Sequence, residues 1–169
     1  MNRLRVLLAV GVLAVAVSVV AAGPAAAKGN TATTSNTDNT IKRKLVGTWD
    51  LVSFVVLDSQ NAVVGYPYGQ PPAGSLTYTA DGHVWAVVGR SGPPTADFPA
   101  SWYTGTFRVD AKRKLVIHRV AYSTTADWVG TDLVRQYSFA GRRRLTLSTL
   151  PAGDEGAQTH GVVKWVKRS

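Results

Sequence analysis

The chain has 169 residues, with 19 Lys and Arg against 10 Asp and Glu, and it contains no Cys. The absence of Cys excludes disulfides, thiol catalysis and thiolate metal sites, so packing alone must stabilise the fold. The net charge of +9 favours anionic over cationic partners.

The N-terminal segment has the pattern of a secretory signal peptide. A short positive region is followed by a nearly unbroken apolar run at 6–22, and Ala25 and Ala27 give the small-residue pattern that signal peptidase accepts. Residues 1–27 are therefore predicted to be removed and the mature chain to be secreted, or extracytoplasmic. A membrane anchor is the alternative, but the run is barely long enough to span a bilayer and a Gly-Pro pair follows it.

Two regions are predicted after the cleavage site. Removing 27 of the 169 residues leaves 142, which fits one domain with a hydrophobic core. Residues 28–44 are rich in Thr and Asn and contain almost no large apolar side chain, so they are predicted to form a disordered tether. Residues 45–169 are predicted to form the single folded domain.

Short β-rich runs separated by turn residues fill this domain, and no stretch shows helical spacing of apolar residues. The predicted strands are 45–57, 63–66, 75–79, 83–88, 102–109, 115–122, 131–139, 144–149 and 162–167. Most connections are short enough for hairpins, so successive strands are expected to be neighbours. Because closure removes exposed strand edges, the expected fold is all-β, a closed antiparallel up-and-down barrel of about eight or nine strands. A sandwich is the alternative.

Alternation within these runs predicts which side chains point into the barrel. The inward set is Leu45, Gly47, Trp49, Leu51, Ser53 and Val55, then Leu76, Tyr78, Tyr103, Gly105, Phe107, Leu133, Tyr137, Phe139, Leu145, Leu147, Val163 and Trp165. These aromatic faces suit an apolar pocket, or they fill the barrel themselves. The outward face of the first strand would also be apolar, through Val52, Phe54 and Val56.

The ordered set of these segments resembles the bacterial and fungal lipocalin-like domain proteins, which are calycin-like β-barrels. The opening stretch 45–54 contains a Gly-x-Trp, and further matching stretches are 66–69, 74–82, 128–135, 145–149 and 163–165. The resemblance implies a barrel with a central cavity for a small hydrophobic molecule. It also implies a late basic residue packed over Trp49, for which Lys167, Arg168 and Arg135 are the candidates.

Polar residues on apolar faces are the candidate ligand contacts. Arg135 shares a face with Leu133 and Tyr137, so it either anchors a ligand or stacks on Trp49. His118 shares a face with Val116, Val120 and Tyr122. It is a cavity group that bonds or transfers a proton, a hydrogen-bonded core residue, or a residue turned outward by a register slip of one residue. The predicted ligand-binding residues are Arg135, His118, Tyr78, Tyr103, Tyr137 and Phe107.

Three basic clusters interrupt the otherwise apolar pattern. They are 42–44, 112–114 and 142–144, and the last two lie at predicted hairpin turns. If these turns lie at one end of the barrel, they form a positive patch with weak attraction to an anionic cell surface. A solvated surface is the alternative, and the pattern needed for a nucleic-acid partner is not evident.

Neither a metal site nor a cofactor is predicted, because the three His are scattered and no phosphate-binding loop precedes a helix. No catalytic residue is assigned. The favoured function is an exported binding protein for a small hydrophobic molecule. The alternatives are an isomerase or cyclase acting on a hydrophobic substrate in the same cavity, and a surface-adhesion role for the basic turns.

Overall fold

The computed structural model describes residues 31–93, 100–154 and 157–169. These residues form a helix α1 (Thr31–Leu45), a short 3-10 helix (Ala126–Trp128) and nine strands. The strands are β1 (Gly47–Asp58), β2 (Val63–Gly65), β3 (Pro72–Tyr78), β4 (His83–Arg90), β5 (Ser101–Asp110), β6 (Leu115–Ser123), β7 (Asp132–Ala140), β8 (Arg144–Thr149) and β9 (Thr159–Lys167). The predicted signal peptide, 1–27, lies outside the described residues.

The strands form one closed antiparallel barrel. From β3 to β9 each strand pairs with the next, β1 pairs with β3, and β9 returns to pair with β1. Eight strands therefore close the barrel, and β2 adds a ninth along the far part of β1. The predicted fold class is confirmed. Each of the eight strands pairs with a neighbour on both sides, so the barrel has no open edge.

The two ends of the barrel differ in their connections. The end that we call the closed end carries α1, the C-terminus and the turns 79–82, 111–114 and 141–143. The other end, which we call the mouth, carries the connections that follow β1, β2, β4, β6 and β8, and all but the first of these are longer than the turns of the closed end. This division follows from the alternating strand direction, which brings every second connection to the same end.

The core fills the half of the barrel next to the closed end. Trp49, Leu76, Tyr78, Val116 and Leu145 are each at most 1% exposed. Nearer the mouth, inward-facing side chains are only half-buried, and they include Phe54, Val88, Tyr103, Arg135 and Thr149. The interior is therefore packed at one end and accessible at the other.

Helix α1 replaces most of the predicted tether, so the prediction of disorder at 28–44 is wrong over the part that the structure describes. Its Thr- and Asn-rich sequence has little helix propensity, and tertiary contacts stabilise it instead. Ile41 and Leu45, four residues apart, pack on the core, and the Asp38 carboxylate accepts the Ala111 amide at 2.8 Å. Within the described residues, no helix is long and apolar enough to span a membrane.

A β-bulge corrects the predicted faces of β1. Its register with β9 shifts between Leu51 and Ser53, so the alternation is reversed beyond Val52. Phe54 therefore packs against the core, and a Cβ on Gly161 would lie 3.1 Å from its ring. The predicted outward position of Phe54 is wrong, because an extra residue in a strand exchanges its two faces.

A second bulge places Tyr122 on the face opposite to that of His118. The β5–β6 register shifts between Thr104 and Gly105, and beyond this point Tyr122 pairs with the outward-facing Thr104. Tyr122 is 69% exposed, whereas Val116, His118 and Val120 are buried. Tyr122 therefore does not share the inward face of His118 as the alternation predicted.

Lys167 is the late basic residue that packs over Trp49. Its Nζ lies 5.0 Å from the Trp49 ring centroid and donates a hydrogen bond to the backbone carbonyl of Lys44. Arg168 instead pairs with Asp50, and Arg135 bonds the Val134 carbonyl. The predicted alternative in which Arg135 stacks on Trp49 is therefore wrong.

The indole of Trp49 joins α1 to the barrel, since its N–H donates to the Leu45 carbonyl at 2.8 Å in a buried position. We expect Trp49→Phe to lower the free energy of unfolding by about 1–3 kcal/mol more than Trp165→Phe. Trp165 is the matched control because its buried N–H has no hydrogen-bond partner among the described residues. Urea unfolding of both variants measures the difference, and equal losses would contradict the assigned role.

Candidate functional site

Three side chains from three strands form a hydrogen-bonded cluster inside the barrel. The Tyr78 hydroxyl of β3 lies 2.8 Å from His118 Nε2, and the Tyr103 hydroxyl of β5 lies 2.7 Å from His118 Nδ1. His118 on β6 is fully buried, and the three inward-facing positions meet because the barrel curves these strands around one interior. We call these residues the Tyr-His-Tyr cluster.

The His118 ring is neutral at physiological pH. Burial, reinforced by the nearby positive charge of Arg135, lowers the pKa of His118 from 6.5 to about 3. Burial also raises the pKa of both Tyr78 and Tyr103. A general acid or base at neutral pH needs a pKa near 7, so the proposed proton-transfer role of His118 receives no support.

The cluster has one hydroxyl hydrogen left over. A neutral imidazole has one N–H and one bare nitrogen, so one tyrosine accepts from His118 and the other donates to it. The accepting tyrosine keeps its own O–H, and neither hydroxyl has another partner among the described residues. Whichever tautomer is present, one hydroxyl hydrogen of the cluster has no acceptor among the described residues.

Arg135 brings a positive charge close to this cluster. It lies on β7 between Val116 and Thr149, on the inward face, and its charge acts on His118, Tyr78 and Tyr103 alike. Its guanidinium donates to the Val134 carbonyl at 3.0 Å, and it makes no ion pair with a carboxylate of the described chain. Because an Arg has five N–H donors, most of its hydrogen-bonding capacity stays open.

The family comparison agrees with this architecture. A family model described as a lipocalin-like domain matches residues 46–102 and 99–168, which together include all nine strands. The chain belongs to the lipocalin-like domain family. No curated protein matches it. The resemblance drawn from the sequence is therefore confirmed, and the match covers the barrel from its first strand to its last.

In this lipocalin-like barrel, the six predicted ligand residues separate into two groups. Tyr78, Tyr103 and His118 are in direct contact, with Arg135 nearby. Phe107 packs on Tyr78 with ring centroids 4.6 Å apart, and its position 5.6 Å from Lys42 Nζ shows that it faces the closed end. Tyr137 lies near the closed end too, 5.7 Å from Phe139, so the structure does not bring it to the cluster.

Trp128 is a residue of the mouth that the sequence reasoning did not assign to the site. It ends the short 3-10 helix, and its ring meets that of Tyr103 edge-on with centroids 5.9 Å apart. Tyr103 therefore links the Tyr-His-Tyr cluster to the mouth. The available signal was a Trp within a connection between two strands, where a half-buried aromatic is not expected by alternation alone.

An open cleft of the lipocalin-like domain lies away from the Tyr-His-Tyr cluster. A cleft of about 580 Å³ opens at the closed end and is lined by Lys44, Phe139, Gly141, Arg142 and Lys167. No group of three or more His, Asp or Glu side chains that is able to hold a metal ion occurs within 31–93, 100–154 and 157–169.

Proposed function

We propose that this protein is an exported binding protein that holds a small, largely apolar molecule in the mouth half of its barrel. The lipocalin-like fold fits hydrophobic ligand binding. The proposal adds that the ligand carries an oxygen acceptor, which takes the free hydroxyl hydrogen of the Tyr-His-Tyr cluster. The observation that carries it is this cluster, placed beside Arg135 where the packed core ends.

The interior provides the two environments that such a ligand requires. Phe54, Val88 and Tyr103 offer apolar surface toward the mouth, where they are only half-buried. The unused donor of the cluster and the guanidinium of Arg135 form a polar floor beneath this surface. A bound carbonyl or carboxylate oxygen would satisfy buried donors that otherwise cost free energy.

Export is supported by the N-terminal sequence. The positive region, the apolar run at 6–22 and the Ala25–Ala27 pattern together favour cleavage and release of residues 28–169 outside the cytoplasm. Binding outside the cell is consistent with a cysteine-free barrel, because its stability does not depend on the redox state of the compartment.

Native mass spectrometry of the protein purified without detergent from an exporting host tests both parts. We expect a protein mass that begins at Lys28 and an additional mass that denaturation releases as a small organic molecule. A mass that retains residues 1–27 would contradict export. A ligand-free protein that also fails to take up an apolar fluorescent probe would contradict the binding function.

Two variants test the polar floor. We expect Tyr103→Phe to weaken binding of the released ligand about five- to tenfold, and Arg135→Met at least tenfold, because each removes a hydrogen bond or a charge. Tyr122→Phe is the matched control, since this hydroxyl lies on the outer face. Unchanged affinity in folded Tyr103→Phe and Arg135→Met proteins would place the ligand elsewhere.

The same variants separate binding from the alternative of an isomerase or cyclase. An enzyme would convert the candidate hydrophobic substrate when the purified protein is added, and Tyr103→Phe would reduce turnover more than affinity. Recovery of the released ligand unchanged after prolonged incubation with fresh protein supports binding alone.

A further inference from the structure

The closed end concentrates most of the positive charge of the described chain. Eleven Lys and Arg side chains lie there, against the four carboxylates of Asp38, Asp50, Asp81 and Asp110. The eleven, which we call the basic end, are Lys42, Arg43, Lys44, Lys112, Arg113, Lys114, Arg142, Arg143, Arg144, Lys167 and Arg168. The strand order brings the last two basic clusters of the sequence to the same barrel end, which was the condition for a positive patch.

Direct contacts hold the three basic clusters together. The Asp38 carboxylate joins α1 to the turn after β5 through the Ala111 amide. The Lys167 ammonium donates to the Lys44 carbonyl, and the Arg143 guanidinium donates to the Lys167 carbonyl at 3.0 Å. The clusters therefore form one fixed surface and not three independent loops.

The carboxylates at this end leave much of the positive charge uncompensated. Each is already engaged: Asp50 with Arg168, Asp110 with Arg113, Asp81 with His83, and Asp38 with the Ala111 amide. Four cations make no ion pair, no side-chain hydrogen bond and no cation–π contact with any described residue, and these are Lys112, Lys114, Arg142 and Arg144.

The mouth has no such excess of positive charge. Its described charged side chains include Asp58, Asp127 and Asp154, against the cations Arg90 and the inward-facing Arg135. The molecule is therefore polarised along the barrel axis, and a negative surface attracts the basic end more strongly than the mouth.

We propose that the basic end docks on an anionic phospholipid surface and directs the mouth away from it. The cations come from a helix end, two turns and the C-terminus, so they spread over a whole barrel end and match a plane of headgroups better than a single linear polymer. The cleft between Lys44, Arg142 and Lys167, walled by the Phe139 ring, has room for one phosphate headgroup.

Docking is electrostatic and needs no inserted side chain. The exposed large hydrophobic residues among those described lie on the barrel wall or near the mouth and not among the basic end. Binding is therefore expected to fall steeply with salt, because counterions screen exposed charges over about 10 Å at 0.1 M ionic strength. The inference does not depend on the identity of the barrel ligand.

Vesicle sedimentation of the purified protein tests the inference. We expect binding to vesicles containing phosphatidylglycerol at low salt, and little binding to pure phosphatidylcholine vesicles or at high salt. The triple variant Lys112→Gln, Arg142→Gln, Arg144→Gln should lower the partition coefficient by about 100-fold, because each cation near the surface contributes roughly fivefold. These side chains make no ion pair or side-chain hydrogen bond with a described residue, so stability should not change.

The matched control removes the same charge from the barrel wall. The control variant carries Arg108→Gln, Arg119→Gln and Lys164→Gln. These three side chains lie on the outer faces of strands, where Arg108 and Arg119 pair with Asp132. This variant should retain most of the binding. Equal losses in both triple variants, binding that ignores lipid charge, or tight binding of soluble polyphosphate without vesicle binding would each overturn the inference.

Discussion

Acidification is expected to destabilise the barrel well before its carboxylates titrate, because His118 is buried in a neutral state. Its pKa is about 3 in the folded protein and 6.5 when the ring is exposed. Between these values the unfolded chain binds a proton that the native state excludes, so stability is complete above pH 6.5 and falls as the pH decreases toward 3. The expected slope is about 1.4 kcal/mol per pH unit, or on the order of 5 kcal/mol across the window.

The window above about pH 4.5 isolates His118 from the acids. Asp50, Asp81 and Asp110 have pKa values lowered below 3.8 by hydrogen bonds and positive neighbours, so the stability that they contribute is lost only at lower pH. Urea unfolding at about pH 7, 6, 5 and 4.5 measures the slope.

Replacing His118 should remove most of this slope. We expect His118→Phe to lose about 2–5 kcal/mol at neutral pH, because the Tyr78 and Tyr103 hydroxyls lose their buried partner. Its stability should then depend less on pH, so that the difference from the native protein narrows on acidification. His83→Phe is the matched control at an exposed position and should keep the full slope. An unchanged slope in His118→Phe would show that another group carries the acid sensitivity.

Gly105→Ala is expected to be among the most destabilising single-methyl changes in the protein. A Cβ at this position would lie 1.9 Å from the Arg119 carbonyl oxygen and 3.0 Å from the Ala121 amide nitrogen. Both atoms belong to the backbone of β6 at the bulge, so neither can move away as a flexible side chain would. The strands must separate, at a cost of about 3 kcal/mol or more.

Gly65→Ala is the matched control for this substitution. It also lies in a strand, but a Cβ there meets nothing within 4 Å, so its effect on stability should stay within about 0.5 kcal/mol. Thermal or urea unfolding of the two variants makes the comparison. A small effect of Gly105→Ala would mean that β5 and β6 do not approach as closely as the structure shows.

The sequence by itself determined the architecture, because hydrophobic alternation and turn residues are local signals. The nine runs of the predicted barrel correspond to the nine strands, and most inward-facing residues, such as Leu76, Phe107 and Leu145, are buried as predicted. Polar residues on apolar faces also identified Tyr78, Tyr103 and His118 as candidates, since alternation places all three inside.

Only the tertiary structure decided features that depend on partners distant in sequence. The bulges that turn Phe54 inward and Tyr122 outward arise from strand pairing, and one extra residue reverses every later prediction of a face. Helix α1 forms because the barrel end accepts Ile41 and Leu45, although its own propensity is poor. The hydrogen bonds that join His118 to two tyrosines, and the choice of Lys167 over Arg135 as the partner of Trp49, depend on distances across the barrel that no local pattern contains.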